Sequence, residues 1–151
     1  MAWRAGDRTG RLADLDPDHL LRLAGLVRGL VGHELLAGVH DVSAGGLALA
    51  LAELAVRSGV GSSVDGVPST AHLFAEAPGR VVAVVGEANL QAVVDAADAA
   101  GIDHGVIGSA GGDRVTIGGP AGALVDTALD ALTRTWRDRL PDALGAGTTQ
   151  A

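Results

Sequence analysis

Residues 39–55, "VHDVSAGGLALALAELA", limit the architecture of the whole chain. A short β-prone run, "GVHDV", passes through a small turn, "SAGG", into a helix-forming stretch, "GLALALAELAVRSG". The apolar residues of that helix lie almost all round it, so it must be buried on most sides. Its one wet edge carries Glu53 and Arg57, spaced as an i, i+4 ion pair. A helix of this kind belongs inside a layered domain.

The rest of the chain supplies the layers. "LDPDHLLRLAGLVRGLVGHELL" opens with Asp16 as N-cap, Pro17 at the first helical position and Asp18 in the first turn. Leu20, Leu23, Leu26, Val27, Leu30 and Val31 then form one apolar stripe at helical spacing. "GSSVDGV" reads as a weak strand, and "PSTAHLFAEAPG" as a loop or short helical turn. "RVVAVVG" is β-branched and apolar on both faces, the pattern of a central strand. "EANLQAVVDAADAAG" predicts an amphipathic helix closed by Gly101. "DHGVIGSA" and "GDRVTIGG" predict two strands joined as a hairpin through Gly111–Gly112. "ALVDTALDALTRTWRDRL" predicts a last helix stopped by Pro141. This alternation predicts an α/β (α+β) domain over residues 15–144, a mixed β-sheet with helices packed on it. Residues 1–14 read as a flexible lead-in and residues 145–151 as a flexible tail.

Composition removes several function classes. The 151 residues suffice for one domain with a real core. The only aromatics are Trp3, Phe74 and Trp136, so Ala, Val, Leu and Ile must build that core. A net charge of −7 argues against a nucleic-acid partner, which requires a clustered positive face. All the basic residues are arginine, so a Walker-type phosphate lysine and Schiff-base chemistry are excluded. There is no cysteine, hence no disulfide, thiolate catalysis or cysteine-ligated metal. Neither a signal peptide nor a membrane span is legible, and the expected location is the cytoplasm.

Few residues remain to carry chemistry. A Gly-containing turn that leads from a strand into a helix leaves backbone N–H donors at the helix start, where the dipole favours an anion. Gly45 and Gly46 would let a ligand approach, and Ser43 would add a hydroxyl donor; equally, Ser43 is an N-cap and the glycines only permit the turn. His40 and Asp41, adjacent on a strand, point to opposite faces and cannot work as a pair on one atom. Both are structural candidates, one buried and one facing the loop. Glu76 and Arg80 flank a Pro-Gly turn, where the guanidinium suits a phosphate or carboxylate, or the two form a surface ion pair. The other histidines, at 19, 33, 72 and 104, have no metal-ligand spacing, and no metal site is expected.

Four stretches in order, "HDVSAGGLALALAELA", "LFAEAPGRVVAVV", "AGIDHGVIGSAGGDRVTI" and "WRDRLPDAL", resemble phosphoribosylformylglycinamidine synthase. The likeness spans roughly residues 16–144 and is to its last domain, the C-terminal domain of the aminoimidazole-ribonucleotide-synthetase-like superfamily. The resemblance implies a carbon–nitrogen ligase of purine biosynthesis that uses ATP, Mg2+ and glutamine-derived ammonia. It also implies that ATP and metal are held largely by a preceding ATP-binding half, so no cofactor is expected in this chain alone. The implied partners are the remaining ligase domains and a glutaminase subunit, with no nucleic acid and no membrane. Ser43, Gly45, Gly46, Glu76 and Arg80 are then expected to face a shared ligand cleft. Two departures stand out: Ala44 replaces the family's usual Asp, and "EAPGR" at 76–80 replaces Glu-Ser-Pro-Ser-Arg. Both favour a docking or scaffold role, inactive alone. The rival reading is a stand-alone phosphate- or nucleotide-binding sensor module.

Overall fold

The structure is a computed structural model that describes residues 14–145; the expected lead-in and tail fall almost wholly outside them. Helix α1 (Pro17–Gly32) starts as its sequence predicts: the Asp16 carboxylate accepts the amides of Asp18 at 3.0 Å and His19 at 3.1 Å. Strand β1 (Gly38–Asp41) leads into α2 (Gly46–Ser58), and β2 (Ser62–Val64) into the single helical turn α3 (Thr70–Leu73). Strand β3 (Val81–Val84) and a 3-10 turn precede α4 (Leu90–Ala99). Strands β4 (Gly108–Ala110), β5 (Arg114–Gly119) and β6 (Gly122–Ala128) then run into α5 (Leu129–Ala143).

The α/β class expected from sequence is present, but as two sheets rather than one. β1 and β3 form an antiparallel two-stranded ribbon, and the other four strands form a sheet in the order β4-β2-β5-β6. β3 is therefore not central, and Val81 and Ala83 are exposed. Its β-branched run determines that it is a strand; the pairing partner determines its place.

The hairpin expected at Gly111–Gly112 is also replaced. β2 lies between β4 and β5, antiparallel to the first and parallel to the second. The Gly61 amide donates to Gly112 O at 2.9 Å and Gly61 O accepts the Gly111 amide at 2.8 Å, so the connection arches over the end of β2.

The expected last helix begins later than predicted. "ALVDTA" is strand β6, held against β5 with Val125 opposite Ile117 and Asp126 opposite Thr116. Arg114 donates two guanidinium N–H groups to the Asp126 carboxylate across this pair. Pro141 lies inside α5 near its end, where the helix continues to Ala143 rather than stopping.

The core is aliphatic. Leu47, Ala50, Leu51 and Ala55 of α2 pack with Val64, Val67, Leu73, Val115, Ile117 and Leu129, all buried. α2 is thus the central helix that its apolar circumference requires, packed against α3, α5, the four-stranded sheet and the ribbon. α1 lies farther out and packs on α4.

Candidate functional site

The ribbon brings the two predicted loops together. Because β1 pairs antiparallel with β3, with Asp41 opposite Val81, the residues after β1 lie beside those before β3. The Val42 amide donates to Arg80 O at 2.9 Å and extends this register by one step. Turn 42–45 and loop 76–80 consequently face each other across a recess of about 410 Å³, lined among others by Asp41, Ser43, Glu76 and Arg80. The loop is tethered from the far side by α1, with His19 Nε2 3.1 Å from Gly79 O.

Within that recess the donors are partly spent. Gly45, at φ 78, is the N-cap of α2, and its amide donates to Glu76 Oε1 at 2.8 Å. Ser43 is therefore not the N-cap; its carbonyl accepts the Gly46 amide at 3.0 Å. The glycines serve the chain itself. A Cβ on Gly46 would stand 2.7 Å from Leu73 O and from the Phe74 carbonyl carbon, and the residue sits at φ 65. Gly46 is buried against that backbone and does not face a cleft, contrary to expectation.

Glu76 and Arg80 do not pair with one another. Glu76 is turned to Gly45, and Arg80 is exposed with no ion pair among the described residues. An unpaired guanidinium lining this recess can bind an oxyanion bidentately. Asp41, also exposed, works against this by its charge. Its carboxyl is held below the ordinary range chiefly by the hydrogen bond from Ser43, so it stays ionised.

A second, larger cleft of about 630 Å³ adjoins the same turn. His40 is half-buried in its wall, with Nδ1 2.7 Å from Asp41 O and Nε2 2.9 Å from Glu53 Oε2. Those hydrogen bonds, led by the one to the Asp41 carbonyl, raise its pKa against the opposing effect of burial. Asp41 is exposed, yet its Oδ1 lies 3.4 Å from His40 Nδ1, so the two adjacent side chains are not held apart as strand alternation predicted. Glu53 was legible only as the partner of Arg57, which lies 3.8 Å away; its tie to His40 depends on how β1 lies along α2.

Among the described residues, no three His, Asp or Glu side chains gather as a metal-holding group.

Comparison with known proteins decides the family. Residues 4–119 match the family described as AIR synthase related protein, C-terminal domain. The chain belongs to that family. This AIR-synthase-related domain is 39 % identical over 142 residues to the phosphoribosylformylglycinamidine synthase subunit PurL of a Nocardioides species, covering 93 % of the chain and 18 % of that protein. The same subunit from Sinorhizobium medicae is 39 % identical over 119 residues, which is 75 % of the chain and 16 % of the relative. The domain thus spans less than a fifth of the length of these relatives.

Among solved structures, Thermotoga maritima PurL complexed with FGAR superposes with a TM-score of 0.72 at 20 % identity, over 85 % of this chain and 23 % of that one. A HypE–HypF complex gives 0.60 at 22 % identity, over 84 % and 46 %. Both share the fold. The likeness read from four motifs therefore holds.

Proposed function

We propose that this domain acts as the terminal AIR-synthase-type domain of a ligase that converts formylglycinamide ribonucleotide to its amidine. It closes one wall of the substrate cleft and holds its neighbours in shape. The observation that carries this reading is the meeting of turn 42–45 with loop 76–80, which leaves Arg80 unpaired at an open recess. ATP and Mg2+ would be held by the ATP-binding half of the complete enzyme, and ammonia would come from a glutaminase subunit. This chain's own contribution is positional: Arg80 offers donors to an anionic group, while the ribbon holds it in place.

The sensor reading is less well supported. The donors on which it relies are occupied, Gly45 N–H by Glu76 and Gly46 N–H by Ser43 O. Among the described residues no helix is long and apolar enough to cross a membrane.

The test is complementation. A PurL-type subunit lacking the matching segment is assayed for ATP-dependent amidine formation with ammonium as the nitrogen source, with and without this chain fused in place. Activity that returns with the chain and falls in its Arg80→Ala variant supports the reading. Activity that is indifferent to the chain refutes it.

A further inference from the structure

His40 joins two elements that the proposed role does not require to be joined. It lies on β1, one residue before the end of the strand, and reaches Glu53 on the second turn of α2. Between these points the chain runs through turn 42–45. Both ring nitrogens are within hydrogen-bond distance of acceptors: Nδ1 of the Asp41 carbonyl at 2.7 Å, Nε2 of the Glu53 carboxylate at 2.9 Å. A neutral imidazole carries a single N–H and can donate to only one of them. Only the imidazolium satisfies both.

The surroundings agree with a cation here. Asp41 Oδ1 lies 3.4 Å from Nδ1. The Arg57 guanidinium, largely exposed, lies 3.8 Å from the Glu53 carboxylate and is the nearest competing cation. From the other elements around this cleft, α1 contributes Val27 and β3 contributes Val81, neither of which titrates. The His40 and Glu53 side chains are 20 % and 16 % exposed, so water screens the pair only in part.

We propose that His40 is a proton-dependent positioning residue: as an imidazolium clasped between the Asp41 carbonyl and the Glu53 carboxylate, it fixes turn 42–45 against α2. Loss of the proton leaves one acceptor facing a lone pair. The clasp then opens on one side, and the turn is tied to α2 by its own hydrogen bonds alone. The Gly46 amide, bonded to Ser43 O at 3.0 Å, reports that tie.

The experiment uses the full 151-residue chain, labelled with 15N, and follows ring and backbone signals from about pH 5 to 9. The expected result is a His40 ring doubly protonated at neutrality, with its midpoint above the ordinary histidine value of about 6.5. Protection of the Gly46 amide from exchange, corrected for intrinsic rate, falls severalfold through the same midpoint. Glu53→Gln keeps an acceptor but removes the charge; it lowers the His40 midpoint, and the loss of Gly46 protection moves with it. His40→Gln removes the pH dependence of protection. A ring that titrates at or below the ordinary value overturns the proposal. So does a turn whose protection ignores the titration, the outcome for a merely structural histidine. Should His40→Gln fail to fold, Glu53→Gln alone decides.

Discussion

Glu76 accepts the amide of Gly45 at 2.8 Å, across 31 residues of sequence, and so caps the central helix from a loop that belongs to another strand. The carboxylate stands where an external anion would otherwise meet the helix N-terminus. Glu76→Ala is expected to lower stability by about 0.5–1.5 kcal/mol, the range for losing one such hydrogen bond at the surface. Urea unfolding followed by circular dichroism checks it. A variant as stable as the parent shows that the cap contributes nothing.

Gly46→Ala is expected to be far more damaging than its size suggests. The added carbon meets the Leu73–Phe74 backbone at 2.7 Å, and φ 65 is strained for any L side chain. Overpacking and backbone strain together cost about 2–4 kcal/mol. Thermal unfolding measures this. It also follows that a bulky residue at position 46 destroys the fold before it can report on binding.

Much of the fold was legible where the cause is local. Asp16 caps α1 because its side chain needs only the next three residues, and the all-round apolar α2 could go nowhere but the centre. The failures share one cause, which is a partner from elsewhere in the chain. Gly111–Gly112 has the composition of a hairpin turn, yet β2 arrives from fifty residues earlier to sit between the strands it joins. "ALVDTA" fits a helix until β5 offers Val125 and Thr127 a ladder. At the candidate site the two loops could be named from sequence. That Glu76 would turn to Gly45 rather than Arg80 depends on the β1–β3 register, and that His40 would reach Glu53 depends on how β1 lies along α2.

Leu73 and Leu21 provide a calibrated pair. Leu73 is 1 % exposed within the core, and Leu73→Ala should cost about 2–5 kcal/mol. Leu21 is 72 % exposed on α1, and Leu21→Ala should stay within about 0.5 kcal/mol. Denaturant midpoints of the two variants test the assignment of inside and outside directly.

The Ser62 hydroxyl is buried without a hydrogen-bond partner among the described residues. Ser62→Ala removes an unpaired polar group and should leave stability unchanged or raise it by about 1 kcal/mol. A clear loss on calorimetry means that the hydroxyl is satisfied after all.

Stability should also depend on pH through His40. Its pKa is raised in the folded chain, first by the Asp41 carbonyl. The stabilisation is therefore complete below the unfolded-state value of about 6.5 and is lost as pH rises through the higher folded-state value. Melting temperatures should fall across that interval in the parent and change less in His40→Gln. A parent curve that rises there contradicts the sign.

The placement of β2 bears on how the protein is made. Both its neighbours, residues 108–110 and 115–117, leave the ribosome long after it does. Until then β2 has two bare edges, and the sheet beneath α2 cannot close. Synthesis of this domain thus includes an interval in which an apolar helix has emerged without its platform and is open to misassociation.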